Sequence, residues 1–208
     1  FLYFVFRGIA DKDFSGRRKS VVYVKEYREK VNWIGVNYYT RLVLKGGFSI
    51  PFLLPIPIVP KFVEGYGFTC IGLDKSKTGL PVSDFGWEIF PEGLGKALDI
   101  VSKYGLPIYI TENGIADAED KLRSYFIVSH LNELEKYVEE KKGDIKGYFH
   151  WALTDNYEWA KGFRMKFGLI EVDLKTKRRI PRKSYEILKK IIENRGVPEN
   201  LVKKYKLP

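Results

Sequence analysis

"PIYITENGIADAEDKLRSYFIVSHLNELEKYVEEKKGDIKGYFHWAL", residues 107–153, decides the fold. Gly105 and Pro107 introduce a β-branched, aromatic strand over 107–114. Residues 119–142 then place Leu122, Phe126, Leu131, Leu134 and Val138 at helical spacing and stop before Gly143. Residues 145–153 return as a second strand, so the stretch reads as a parallel strand-helix-strand unit. It also raises a question. The first strand looks buried, yet it ends by presenting Glu112, an amide and a glycine.

Working outward, "VNWIGVNYYT" (31–40) reads as another buried strand. "EGLGKALDIVSKYG" (92–105) and "KSYEILKKIIENRG" (183–196) read as helices, the latter with Gly196 as its C-cap. Strands alternating with helices predict an α/β fold whose ligands bind at the carboxyl ends of the strands. Those ends carry Asn37, Tyr38 and Tyr39, then Thr111 to Gly114, then His150 and Trp151 leading into "TDNYEWAKGF" (154–163). Aromatic faces beside carboxylates and amides suit a polyhydroxylated ring, apolar on its C–H face and polar at its rim.

Composition narrows the class. The 208 residues are 45% hydrophobic, enough for one sizeable core and a single domain over 1–208. No apolar run approaches the roughly 20 residues of a spanning helix, so a cytoplasmic protein without a membrane span is expected. Cys70 stands alone and cannot form an internal disulfide. The absence of glutamine, the single Met165 and the many lysines and glutamates match a hyperthermophile protein. "FLYFVFRG" reads as helix interior, so a truncated start is expected.

The net charge of +10 concentrates in "GRRKS" (16–20) and "KTKRRIPRK" (175–183). Neither cluster has interleaved aromatics or zinc-ligand spacing, so both read as solvated surface and no nucleic acid is expected. His130 and His150 are too few to assemble a metal site. "DFG" at 84–86 lacks the companion motifs of a kinase, and Trp87 reads as fixing the helix that follows. "FSIPFLLPIPIVP" (48–60), broken by four prolines, reads as an apolar loop at the carboxyl ends of the strands, packed on neighbouring loops or a subunit, walling an apolar part of a ligand, or touching a membrane.

Four motifs, "WIGVNYYTR", "SDFGWEIFPEGL", "YITENG" and "HWALTDNYEWAKGFRMKFGL", taken in this order resemble the second half of family 1 glycoside hydrolases, particularly archaeal β-glycosidases. The resemblance implies the C-terminal part of a (β/α)₈ TIM barrel, strands six to eight with their helices, lacking the N-terminal strands. It implies that Glu112 is the catalytic nucleophile and that Tyr39 hydrogen-bonds it. Asn37 would line the sugar subsite, Trp151 would form its floor, Glu158 and Trp159 would bind hydroxyls, and Phe167 would wall it. No cofactor is implied.

The family's acid/base glutamate lies in an Asn-Glu-Pro motif that this sequence does not contain. From spacing alone Glu158 or Asp155 could stand in for it, although the resemblance gives Glu158 to hydroxyl recognition. The expected activity is retaining hydrolysis of terminal β-glycosides, with a β-glycoside or oligosaccharide as substrate and an N-terminal barrel fragment or self-association completing the fold. The alternative is a non-catalytic sugar-binding remnant. A basic nucleic-acid-binding protein is a third reading, supported by charge alone.

Overall fold

A computed structural model describes residues 2–13, 17–48, 58–141 and 143–205. In chain order the elements are α1 (Leu2–Arg7), β1 (Ile9–Asp11), β2 (Val21–Tyr23), β3 (Ile34–Asn37), β4 (Leu44–Phe48), β5 (Ile58–Phe62), α2 (Glu92–Val101) and β6 (Ile108–Gly114). There follow α3 (Arg123–Lys141), β7 (Ile145–Trp151), β8 (Ile170–Val172), β9 (Arg179–Pro181), α4 (Lys183–Asn194) and α5 (Glu199–Lys204). Strands β3, β6 and β7 form a parallel sheet in that order, and the other strands pair as antiparallel hairpins, β1 with β2, β4 with β5 and β8 with β9.

The two faces of the parallel sheet have different fates. On one, Ile34, Val36, Ile108 and Ile110 pack on Leu94 and Leu98 of α2 and on Leu134 and Tyr137 of α3. On the other, Trp33 is 52% exposed and Phe149 58% exposed, with Tyr109 edge-on to Trp33 at a centroid separation of 5.4 Å. The uncovered face therefore carries exposed aromatic rings. A second core joins Ile127 and Val128 of α3 to Ile187 and Ile191 of α4 and Leu201 of α5.

Local chemistry moves three boundaries from their expected places. Helix α3 starts at Arg123, not at 119, because the Asp117 carboxylate accepts hydrogen bonds from the backbone N–H groups of Lys121, Leu122 and Arg123 and holds 117–122 as a turn. Helix α4 is closed by Arg195, with φ 55°, rather than by Gly196. Gly196 follows it, with the Glu135 carboxylate close by. The apolar stretch 48–60 ends in β5, where Pro60 sits opposite Gly46 in a two-stranded hairpin, a position that needs no central-strand N–H. Its middle, including Phe52, Leu53 and Leu54, lies outside the described residues.

Candidate active site

Strict alternation along β6 would put Glu112 on the same face as Ile108 and Ile110, inside the core. The strand departs from it. Against β3, Val36 pairs with Ile110 but Asn37 pairs with Glu112, and against β7, Tyr148 pairs with Ile110 but His150 pairs with Asn113. One extra residue in β6 relative to both neighbours re-aims the side chains beyond it, as β-bulges do next to active sites. Asn113, 0% exposed, takes the core side, while Glu112 turns to the open side with Asn37 and Thr111, whose hydroxyl donates to Asn37 Oδ1 at 2.6 Å. Gly114 completes the motif. A Cβ there would stand 1.8 Å from the Trp151 carbonyl oxygen, so the two strand ends can meet only at glycine.

The strand ends of β3 and β6 clasp each other. The Tyr38 N–H donates to the Glu112 carbonyl at 2.9 Å, the Asn113 amide Nδ2 donates to the Tyr38 carbonyl at 2.7 Å, and the Tyr38 hydroxyl donates to the Phe90 carbonyl at 2.6 Å. The next residue, Tyr39, donates its phenol to Glu112 Oε2 at 2.7 Å. Burial pushes the Tyr39 phenol well above its ordinary range, the bond to Glu112 adds to this, and the charge of Glu158 adds further. Tyr39 is thus a fixed donor to a half-buried carboxylate, with a second carboxylate within electrostatic reach.

An aromatic wall stands behind this pair. Phe167, 1% exposed, meets the Tyr39 ring edge-on at 6.2 Å, and Trp87 meets it at 5.5 Å while stacking on Phe85 at 4.2 Å. Two backbone links place these residues. Asp84 ties its segment to the end of β6 through its N–H to Ala116 O, 3.0 Å, and its carboxylate to the Ala118 N–H, 2.7 Å. The segment after β7 folds back through Ala152 N–H to Phe167 O, 3.2 Å, and Leu169 N–H to Ala152 O, 2.9 Å. Phe85 and Trp87 also border a cleft of about 630 Å³ lined by Phe68, Ile71, Leu73 and Lys161.

Trp151 ends β7, half-buried, followed by a cis peptide to Ala152. Glu158 precedes a single turn at Trp159–Lys161 and accepts a hydrogen bond from Asn156 Nδ2 at 2.8 Å. Trp159 is 83% exposed, its ring in solvent at the rim. The structure therefore brings Asn37, Tyr39, Glu112 and Phe167 together through a hydrogen bond, a ring contact and strand pairing, and leaves Trp159 outside that cluster. Sequence reasoning missed Phe85 and Trp87 as part of the wall. The two rings flank Gly86 in a tight turn closed by hydrogen bonds between Ser83 and both Gly86 and Trp87, and the Asp-Phe-Gly turn residues were the available signal.

Two other acidic side chains are unsuited to proton transfer. Asp155 is buried, which alone would raise its pKa, but the Arg182 guanidinium at 2.9 and 3.0 Å and the Gly168 N–H at 3.0 Å hold it below the carboxylate range. Glu88, 0% exposed, is likewise lowered against its burial by Arg41, Ser76 and Thr78. Both are permanent anions that tie loops together. Among the described residues, no three His, Cys, Asp or Glu side chains are grouped to hold a metal ion, and no helix is long and apolar enough to cross a membrane.

Comparison with known proteins adds an independent line. The family model described as glycosyl hydrolase family 1 matches residues 23–197. A β-galactosidase of Pyrococcus woesei is 51% identical over 177 residues, which are 84% of this chain and 34% of that protein. The crystal structure of the β-glycosidase from the hyperthermophile Thermosphaera aggregans superposes with a TM-score of 0.81 at 39% identity, covering 99% of this chain and 39% of that one. A hyperthermophilic β-glucosidase from Pyrococcus furiosus gives a TM-score of 0.76 at 45% identity, covering 86% and 36%. The chain spans about a third of the length of the curated relatives it matches.

Proposed function

This chain belongs to glycosyl hydrolase family 1, its parallel strands and helices being a C-terminal part of the (β/α)₈ barrel, and on that premise we propose that it carries the nucleophile half of a retaining β-glycosidase. Glu112 attacks the anomeric carbon of a terminal β-glycoside, the C–O bond to the leaving group breaks, and a glycosyl ester on Glu112 forms; water then attacks that carbon and frees the carboxylate. Tyr39 holds one oxygen of Glu112 so that the other can attack along a fixed line. Trp151 underlies the sugar, Glu158 and Trp159 bind its hydroxyls, and Asn37 and Phe167 close the subsite. The cleft beside Phe85 and Trp87 takes the leaving group.

The observation that carries the reading is the 2.7 Å bond from Tyr39 to a carboxylate turned out of the core by an extra strand residue. The leaving oxygen also needs a proton donor, about 5–5.5 Å from the nucleophile in retaining enzymes. The sequence contains no Asn-Glu-Pro motif, and Asp155 is tied up by Arg182. The acid/base glutamate accordingly comes from a polypeptide segment outside these 208 residues. Its absence also favours a second reading, a sugar-binding chain without turnover.

A dinitrophenyl leaving group needs no acid, so the two readings separate. Incubated with 2,4-dinitrophenyl β-glucoside or β-galactoside, the chain is expected to release dinitrophenolate at a rate that Glu112→Gln abolishes. Release no faster than in Glu112→Gln would overturn the hydrolase reading, and sugar binding without release would favour the second.

A further inference from the structure

Behind the nucleophile strand lies a partly buried polar chain that the chemistry above does not use. Its direction follows from the acceptor at one end. The Tyr38 carbonyl can only accept, so Asn113 must turn its Nδ2 toward it. The Asn113 oxygen then faces Tyr148, whose hydroxyl must donate to it, at 2.9 Å. With its proton committed, the Tyr148 oxygen accepts from Nδ1–H of His150 at 3.2 Å. His150 is therefore the Nδ1–H tautomer. Burial, with the charge of Arg123 and the neighbouring His130, pushes its pKa down to about 3 and keeps it neutral.

The chain runs from His150 through Tyr148 and Asn113 to the Tyr38 carbonyl, one peptide from the phenol that holds Glu112. It also spans the site of the extra residue in β6, because Tyr148 and His150 are the residues of β7 between which the register shifts. Neither side chain reaches the open face of the sheet.

Resting on the reading of Glu112 as nucleophile, we propose that Tyr148 and His150 are positioning residues, which through Asn113 pin the strand irregularity that aims Glu112 and keep the Tyr39 phenol on it. A buried hydroxyl or imidazole could instead serve only to satisfy the core, and the two roles give different results.

The probe is covalent labelling by a 2,4-dinitrophenyl 2-deoxy-2-fluoro-β-glycoside, followed by mass, together with the ¹³Cζ resonance of Tyr39 at neutral pH, assigned by Tyr39→Phe. In Tyr148→Phe the labelling rate constant is expected to fall about tenfold or more while the inhibitor's dissociation constant changes less than threefold, and the Tyr39 resonance to shift. His150→Asn, which keeps a donor at the Nδ1 position, should label within threefold of the parent, and His150→Leu should not. If Tyr148→Phe does not fold, the His150 pair carries the test.

A lowered melting temperature with unchanged labelling and an unmoved Tyr39 resonance would overturn the proposal. The two readings fail separately. A parent chain that is never labelled, but whose Tyr39 resonance moves in Tyr148→Phe and is restored to place by His150→Asn relative to His150→Leu, sinks the nucleophile and leaves the positioning role. A labelled chain indifferent to both substitutions does the reverse.

Discussion

Glu112, Asn113 and Gly114 are consecutive, and each needs its residue type for a different reason. Glu112 supplies a carboxylate on the open face, Asn113 donates to the Tyr38 carbonyl from a fully buried position, and Gly114 leaves room for the Trp151 carbonyl. A hydrogen bond to an ionised group is worth about 1.5–3 kcal/mol, so Tyr39→Phe is expected to slow cleavage of dinitrophenyl glycosides by about 10- to 150-fold with a smaller effect on binding. An unchanged rate would show that Tyr39 does not orient the nucleophile. The motifs singled out Glu112, Tyr39 and Phe167, and the structure sets Tyr39 against both of the others. The way Glu112 escapes the core was not legible, because alternation from Ile108 and Ile110 points it inward and the extra residue exists only relative to β3 and β7. Asn113 was equally hidden, since its partner is the Tyr38 carbonyl, 75 positions away.

At the scale of elements, β3, β6, β7, α2, α3 and α4 were readable from periodicity and turn residues, and the shifted boundaries reflect side-chain bonds that periodicity does not encode. The Asp117 carboxylate delays α3, and Arg195 takes the left-handed C-cap position expected of Gly196. The loop after β7 depends on the buried Arg182–Asp155 pair. Arg182→Ala would strand a buried carboxylate, and a loss of about 3–5 kcal/mol in unfolding free energy is expected. A loss within 1 kcal/mol would mean that the pair is dispensable.

The two histidines sit on facing elements, His130 on α3 and His150 on β7. Burial lowers their pKa values to about 4 and about 3, so the folded state binds fewer protons than the unfolded chain below the ordinary value of 6.5. Their contribution is fully present above pH 6.5 and is lost as pH falls toward 4 and then 3, by up to about 1.4 kcal/mol per pH unit for each. Since the sequence has only these 2 histidines, their C2–H proton signals are unambiguous. Neither should titrate between pH 8 and 5 in the folded chain; a midpoint near 6.5 would contradict the buried neutral pair.

For the whole molecule, the uncovered face of the parallel sheet dominates. Trp33 and Phe149 stand exposed there, and β3 and β7 each leave one strand edge unpaired among the described residues. Such edges and faces drive association. Sedimentation is expected to show species larger than the 24.2 kDa chain, reduced when Trp33 and Phe149 are replaced by serine. A monodisperse monomer with a cooperative melt would contradict this. The missing Asn-Glu-Pro motif raised the expectation of an absent part, whereas the identity of the uncovered residues required the register of the sheet.

The most direct measurement is the intact mass of the purified chain after warming with a 2,4-dinitrophenyl 2-deoxy-2-fluoro-β-glycoside, followed by peptide mapping. The account predicts one added fluoroglycosyl group, located on Glu112 and absent from Glu112→Gln. A folded chain that stays unlabelled, or one labelled at another residue, would contradict the assignment of Glu112 as the nucleophile.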